Sequence, residues 1–241
     1  MSNAVHGRNT AIWVNEFDLS NYLKKFAVNR DAPELECTTF QDTARSYVAD
    51  FPDGSLSLEG FFSHDETDQD TAEDVFKAAL STAAEVVTVA PEGGATFGLR
   101  AMLQDAVETK HMIDSPATGL IMSNADFRGG VSHGVLLAQK ASRTATGNGT
   151  SVDGAVATTS GGVAHLHVFA KSGTSPTLDV KVQHSTDNSV FVDLITMTQA
   201  TVATSERKTV TGTVNRYVRE THTLGGTSPN FTFAVAFARL Y

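Results

Sequence analysis

The sequence predicts a mainly β protein with antiparallel connections, and three observations carry that prediction. Apolar and polar or small residues alternate with a period of two in stretch after stretch. Leu56 and Leu58 oppose Ser55, Ser57 and Glu59, and Phe231, Phe233, Val235 and Phe237 oppose Ala234, Ala236 and Ala238. That period puts successive side chains on opposite faces of a strand. Clusters of Gly, Pro, Asn and Asp break the chain every ~8–12 residues, the spacing of short strands joined by turns. One segment only, holding Phe76, Ala79, Leu80 and Ala83, carries the stripe of an amphipathic helix.

In order, Ala11 to Val14 reads as a strand and Asn15 to Asp18 as a turn. Tyr22 to Asn29 alternates again, and Glu34 to Phe40 leads into a long polar and aromatic loop, Thr38 to Asp50. The turn Phe51-Pro52-Asp53-Gly54 follows, where Pro presets φ and Gly tolerates what other residues avoid. Ser55 to Phe62 is the half-wet strand that leaves it. The set forms an antiparallel meander. Asp65, Glu66, Asp68, Asp70, Glu73 and Asp74 then crowd a stretch without a basic residue. A calcium loop needs a Gly at the bend and a bidentate Glu at the end, and neither is in place. Acids before a helix favour its N-terminus instead, and Thr71 and Asp74 have capping-box spacing. The predicted helix covers about 70–84.

Strands follow at Glu85–Ala90, Phe97–Leu103, Val107–Ile113, Gly119–Ser123 and Ser132–Lys140. The small, polar, glycine-rich stretch Ser142–Gly154 reads as a linker. Beyond it come Val163–Ala170, Leu178–His184, Val190–Met197, Lys208–Thr213, Arg216–Thr223 and Phe231–Arg239, with no helix and no internal repeat expected. The expected organisation is a domain over 1–142, a linker over 143–153 and a second β-sandwich, immunoglobulin-like or jelly-roll-like, over 154–241.

Composition narrows the function classes. With 241 residues and 41% hydrophobic content the chain is neither disordered nor a helical membrane protein. No apolar run approaches the ~20 residues that span a bilayer, so no membrane anchor is expected. The first residues lack the apolar core of a signal peptide. The single cysteine, Cys37, rules out an internal disulfide and a multi-cysteine zinc site, and is expected to be partly buried. Residues 1–142 hold 10 Lys and Arg against 21 Asp and Glu, and the remainder 8 against 6. An acidic first part argues against tight phosphate binding, though not against DNA sliding past.

Motifs that could carry chemistry are few. Gly130-Val131-Ser132-His133-Gly134 matches the G-x-S-x-G nucleophile elbow, which works only where a strand turns into a helix above a parallel sheet. The flanks here read as strand and loop. His165 and His167 project from one face of a strand without a visible third metal ligand, and read as solvent-facing or hydrogen-bonded residues. Phe169, Phe191 and Tyr217 could stack on sugars but suit a sandwich core better. No catalytic, cofactor-binding or metal-ligating residue is expected.

The succession IWVNEFDLSNYL, then TTFQDTARSYVADFPDGSLSLEGFF, resembles the major tail tube proteins of long non-contractile-tailed phages and gene-transfer particles. The likeness is strongest over Ile12 to Phe62 and extends to about Lys140. The second unit, from GGVAHLHVFAKSG to NFTFAVAFARL, looks like a sandwich often appended to such proteins. The resemblance implies a tail-tube domain whose sheet joins a continuous barrel around a channel. It implies hexameric rings that stack into a tube and a loop reaching the next ring. The implied partners are further copies of the chain, tail terminator and tail-tip proteins, and, in the lumen, the tape-measure protein and DNA bound without sequence specificity. The implied location is the virion tail, assembled in the bacterial cytoplasm. On this reading Thr39, Phe40, Arg45, Tyr47, Asp50 and Phe51 serve ring stacking, and Ser55, Ser57 and Glu59 face the channel. The rival readings are a capsid or tail decoration protein whose C-terminal sandwich binds host surface glycan, and a hydrolase built on Ser132.

Overall fold

The computed structural model describes residues 6–32, 34–49, 53–63, 71–80 and 84–241. In chain order the strands are Ala11–Val14 (β1), Phe17–Asp18 (β2), Leu23–Asp31 (β3), Glu34–Glu36 (β4), Tyr47–Ala49 (β5) and Asp53–Phe61 (β6). The helix Ala72–Ala79 (α1) comes next. Then follow Glu85–Ala90 (β7), Arg100–Asp114 (β8), Met122–Arg128 (β9), Val131–Arg143 (β10), Gly147–Asn148 (β11) and Val152–Asp153 (β12). Gly162–Ser185 (β13), Val192–Thr196 (β14), Thr204–Val210 (β15) and Tyr217–Arg239 (β16) complete the chain. The protein is mainly β and antiparallel with one α-helix among the described residues, as the periodicity predicts.

Two compact units form. One comprises Met1–Asn21, Val86–Leu103 and Ser132–Tyr241; the other comprises Tyr22–Glu85 and Gln104–Val131. These units cut the chain at other places than the expected 142 and 154. Residues 143–153, expected as a linker, carry β11 and β12, and both pair with β16. Small polar residues look like a linker in sequence, yet they also suit a short edge segment laid along a long strand.

The larger unit has the strand order β14-β13-β16-β10-β8-β7-β1-β2, with β11, β12 and β15 attached at the sides. Its two longest strands, β13 and β16, pair over almost their whole length. The alternation of β16 sets two cores. Phe231, Phe233, Val235 and Phe237 join Leu166, Val168, Leu178, Val180 and Val182 on one face. Ala234, Ala236 and Ala238 meet Trp13, Leu103, Leu136 and Val163 on the other. Alanines let the indole of Trp13, fully buried, approach the sheet. Burying each Phe contributes ~1.5–3 kcal/mol, so the phenylalanine stripe is the main anchor of this unit.

The expected breaks near 171–177 and 224–230 do not end the strands. Gly-Thr-Ser-Pro occurs at 173–176 and again at 226–229, a repeat the sequence reading missed. In both copies the Gly and the Ser have positive φ, +114° and +47° in the first, +97° and +50° in the second. A Cβ on Gly173 would lie 2.6 Å from Ser228 O, and one on Gly226 would lie 2.5 Å from Ser175 O. The copies therefore face each other across the ladder as paired bulges. The Pro residues lack a ladder donor and are tolerated there.

The smaller unit is built on the sheet β3-β6-β9-β8. Along β6 the residues alternate as expected: Leu56 and Leu58 are 1% exposed, while Ser55, Ser57 and Glu59 are partly exposed. The apolar face is covered by α1, whose Phe76 ring lies 6.2 Å from that of Phe127 and 6.3 Å from His111. Thr71 caps the helix: its hydroxyl accepts from Asp74 N at 3.4 Å and donates to Asp74 Oδ2 at 2.6 Å. The helix is shorter than the predicted 70–84. Leu80 leaves helical geometry (φ −57°, ψ 119°) and forms a bridge to Glu108. Ala83 and the acidic residues Asp65, Glu66, Asp68 and Asp70 lie outside the described residues.

Candidate functional site

Two surfaces of the smaller unit hold the residues singled out for assembly. The first is the β4–β5 hairpin with its connecting loop. Glu34, Leu35 and Glu36 pair with Ala49, Val48 and Tyr47, and Cys37 N donates to Ser46 O at 2.9 Å, which extends the ladder. The loop is held by its own polar side chains. Asp42 Oδ2 accepts from Thr39 N at 2.6 Å and from Thr39 Oγ1 at 3.1 Å, and Thr38 Oγ1 accepts from Ser46 N at 3.1 Å. Such contacts fix a loop without a core. What it displays is apolar: Phe40 is fully exposed, and Leu35, Tyr47 and Val48 are about half exposed. Arg45 stands 3.8 Å from Glu36, both side chains in solvent. Cys37 is exposed and not partly buried as expected. Asp50 and Phe51 lie outside the described residues.

The second surface is the wet face of the sheet. Glu59 accepts from Lys25 Nζ at 2.6 Å, Ser57 Oγ donates to Asp126 at 2.6 Å, and Asp53 accepts from Arg128 at 3.1 Å. Ser55 lies between Asn29 and Arg128 in the ladder. Glu59 and Asp53 are thus each matched by a cation and Asp126 is held by Ser57, so this face is polar and hydrogen-bonded. Exposed pairs of this kind add little stability.

Beneath the helix lies a buried acidic group. Glu73 Oε2 accepts from Ser123 Oγ at 2.8 Å and faces His111 Nε2 at 2.9 Å. Glu108 is 1% exposed and neither carboxyl oxygen has a partner. Burial, with Glu85 and Glu73 adding repulsion, pushes its carboxyl up to about 8. Nothing in the local sequence marks Glu108, because its partners in repulsion come from α1 and β7.

In the larger unit His165 and His167 share one face, as expected, and both are completely buried. Thr88 Oγ1 joins them, 3.0 Å from His165 Nδ1 and 2.8 Å from His167 Nε2. His167 Nδ1 lies 2.5 Å from Asn15 O, which can only accept. His167 therefore carries its proton on Nδ1, Thr88 donates to its Nε2, and His165 Nδ1 donates to Thr88. His165 Nε2 is left without a partner. Burial lowers both imidazoles, His167 to about 4. No group of three or more metal-binding side chains occurs among the described residues.

Gly130 to Gly134 does not form an elbow. Val131 to Gly134 open strand β10, and no helix follows. A Cβ on Gly134 would lie 2.2 Å from Phe237 O, so Gly134 serves close strand packing. The aromatic rings that could take a sugar are capped by cations instead: Lys140 over Phe169 at 4.6 Å, Arg219 over Phe191 at 3.9 Å and Arg216 over Tyr217 at 5.0 Å.

No family model matches the chain, and no curated protein matches it. Solved structures do. A chain of the virion of a native gene transfer agent particle is 16% identical, with a TM-score of 0.39 over 54% of this chain and 98% of that one. A chain from the tail of an empty gene transfer agent particle, refined with C6 symmetry, is 14% identical, with a TM-score of 0.38 over 54% and 97%. The Dit protein (gp 19.1) of SPP1, described as a hub adsorption apparatus of phages infecting Gram-positive bacteria, is 9% identical, with a TM-score of 0.35 over 96% and 99%. Likenesses at this level carry no functional argument by themselves.

Proposed function

We propose that the chain is a structural subunit of a phage-type tail, and that it builds the stacked-ring tube through which DNA passes. The observation that carries this reading is the architecture around β6. A half-wet strand offers one hydrogen-bonded polar face, its other face is closed by α1, and an apolar-tipped hairpin stands immediately before it in the chain. A sheet face that its own subunit leaves uncovered suits a channel wall, and a self-braced loop tipped with Phe40, Tyr47 and Val48 suits burial in a neighbour. The resemblance of Ile12 to Phe62 to tail tube proteins points the same way.

On this reading six copies close a ring, and the rings repeat head to tail. Head-to-tail contacts do not close, so terminator and tip proteins set the length. Thr39, Phe40, Arg45, Tyr47, Asp50 and Phe51 form the stacking contact. Ser55, Ser57 and Glu59 face the lumen, where hydrogen-bonded polar groups let the tape-measure protein and DNA slide. The chain acts by assembly and has no turnover. Arg45→Glu is expected to slow tube growth by at least about tenfold while leaving the melting temperature unchanged, because its contact with Glu36 is exposed and weak. Turbidity and calorimetry on the same sample read both quantities. Tube growth at the wild-type rate removes Arg45 from the stacking contact. A subunit that closes one ring and stops there is an outcome that microscopy separates from a tube.

A further inference from the structure

We infer that a cleft beside β11 in the larger unit is a binding site for a neutral, polyhydroxylated ligand of the size of one sugar ring. The cleft is about 300 Å³ and is lined by Phe97, Gln139, Arg143, Asn148, Gly149 and Glu220, among others. Its floor is Glu220, 1% exposed. A carboxylate is not buried at such a place without compensation. Here Oε1 faces His222 Nδ1 at 2.5 Å, and His222 Nε2 lies 3.0 Å from Ala145 O. The carbonyl only accepts, so Nε2 donates to it.

The other oxygen, Glu220 Oε2, has no hydrogen-bond partner among the described residues, and it is the oxygen that faces Gly149. A Cβ on Gly149 would lie 2.7 Å from Oε2. Gly149 N donates to Glu220 O at 2.8 Å, which pins the loop in place. A glycine therefore holds open the front of a buried acceptor. Asn148 Oδ1 accepts from Thr221 Oγ1 at 2.6 Å, so its amide N–H groups remain to donate. The Arg143 guanidinium is spent on the carbonyls of Gln139, Ala141 and Phe233 and lies 4.2 Å above the Phe233 ring. It gives the cleft positive charge without offering a free fork.

Charge selects the ligand. The open Glu220 oxygen disfavours an anion in front of it, and the Arg143 guanidinium disfavours a cation. A neutral molecule with hydroxyl donors for Oε2 and hydroxyl acceptors for Asn148 satisfies both. Phe97, 38% exposed, supplies an apolar wall of the kind on which the C–H face of a sugar ring rests.

The test is saturation-transfer-difference NMR on the full-length chain with the methyl glycosides of glucose, galactose, mannose and N-acetylglucosamine. Transfer to at least one of them is expected. Gly149→Val, which fills the space before Oε2, is expected to weaken that binding by at least about tenfold. Glu220→Gln is expected to weaken it as well, and the thermal midpoint of each variant reports whether it folds. Should Glu220→Gln fail to fold, Gly149→Val still reads the cleft. No transfer to any of the four glycosides, or transfer unchanged in folded Gly149→Val, overturns the proposal. So does equal competition by acetate or ethanolamine, which would show a site for ions. Tube formation is not needed for any of these readings.

Discussion

Thr88 is a single hydroxyl that serves two buried imidazoles, and this makes the larger unit sensitive to acid. Both His165 and His167 are held below their usual range by burial, His167 at about 4. In the unfolded chain they bind protons near pH 6.5. Below that pH the unfolded state gains protons that the folded state refuses, so stability falls as pH falls toward 4. Urea titrations at pH 7 and pH 5 are expected to show the loss, and His167→Gln is expected to reduce the slope. Thr88→Val strands two ring nitrogens and is expected to cost about 1–3 kcal/mol at pH 7. Glu108 has the opposite sign. Its folded value of about 8 exceeds an unfolded value near 4.5, so stability falls as pH rises between them. Glu108→Gln is expected to abolish that slope and to raise stability at pH 8, read by denaturant titration. Little of this was legible in the sequence. The partner of the histidines lies 77 and 79 residues away, and no local pattern joins Thr88 to them.

At the scale of elements, alternation was the reliable signal and punctuation was not. The Phe and Ala faces of 231–238 and the wet and dry faces of 55–60 follow from a period of two, because each face is buried differently. Gly and Pro misled at 173–176 and 226–229. There they mark facing bulges that bend a continuous ladder, and a sequence reading takes them as turns. The same ambiguity made 143–153 look like a linker, since short edge strands need few apolar residues. Gly134→Ala tests the opposite case, a glycine inside a strand. The added methyl meets Phe237 O at 2.2 Å, so β10 and β16 must part. A loss of at least about 1–3 kcal/mol is expected, the range of overpacked sites. Phe76→Ala is expected to cost about 3–5 kcal/mol, because the ring that joins α1 to Phe127 and His111 is fully buried. Hydrogen exchange that rises in β6 and β9 alone would show that only the smaller unit loosens.

For the whole molecule, the proposed assembly rests on a self-braced apolar hairpin and a polar sheet face. The wet residues Ser55, Ser57 and Glu59 were legible as a face, but not which way that face points in an assembly. Thr39, Phe40, Arg45 and Tyr47 are proposed for stacking through the resemblance alone; Phe40, Arg45 and Tyr47 are exposed, as such a contact would require. Acidity was legible as a count, yet on the sheet face Glu59 and Asp53 are paired with Lys25 and Arg128. Negative-stain electron microscopy of the purified, concentrated chain decides whether it builds a tube. Hollow tubes or stacks of rings with a continuous central channel are expected. Closed single rings that never stack, or particles that remain monomeric at every concentration reached, contradict the proposed tube.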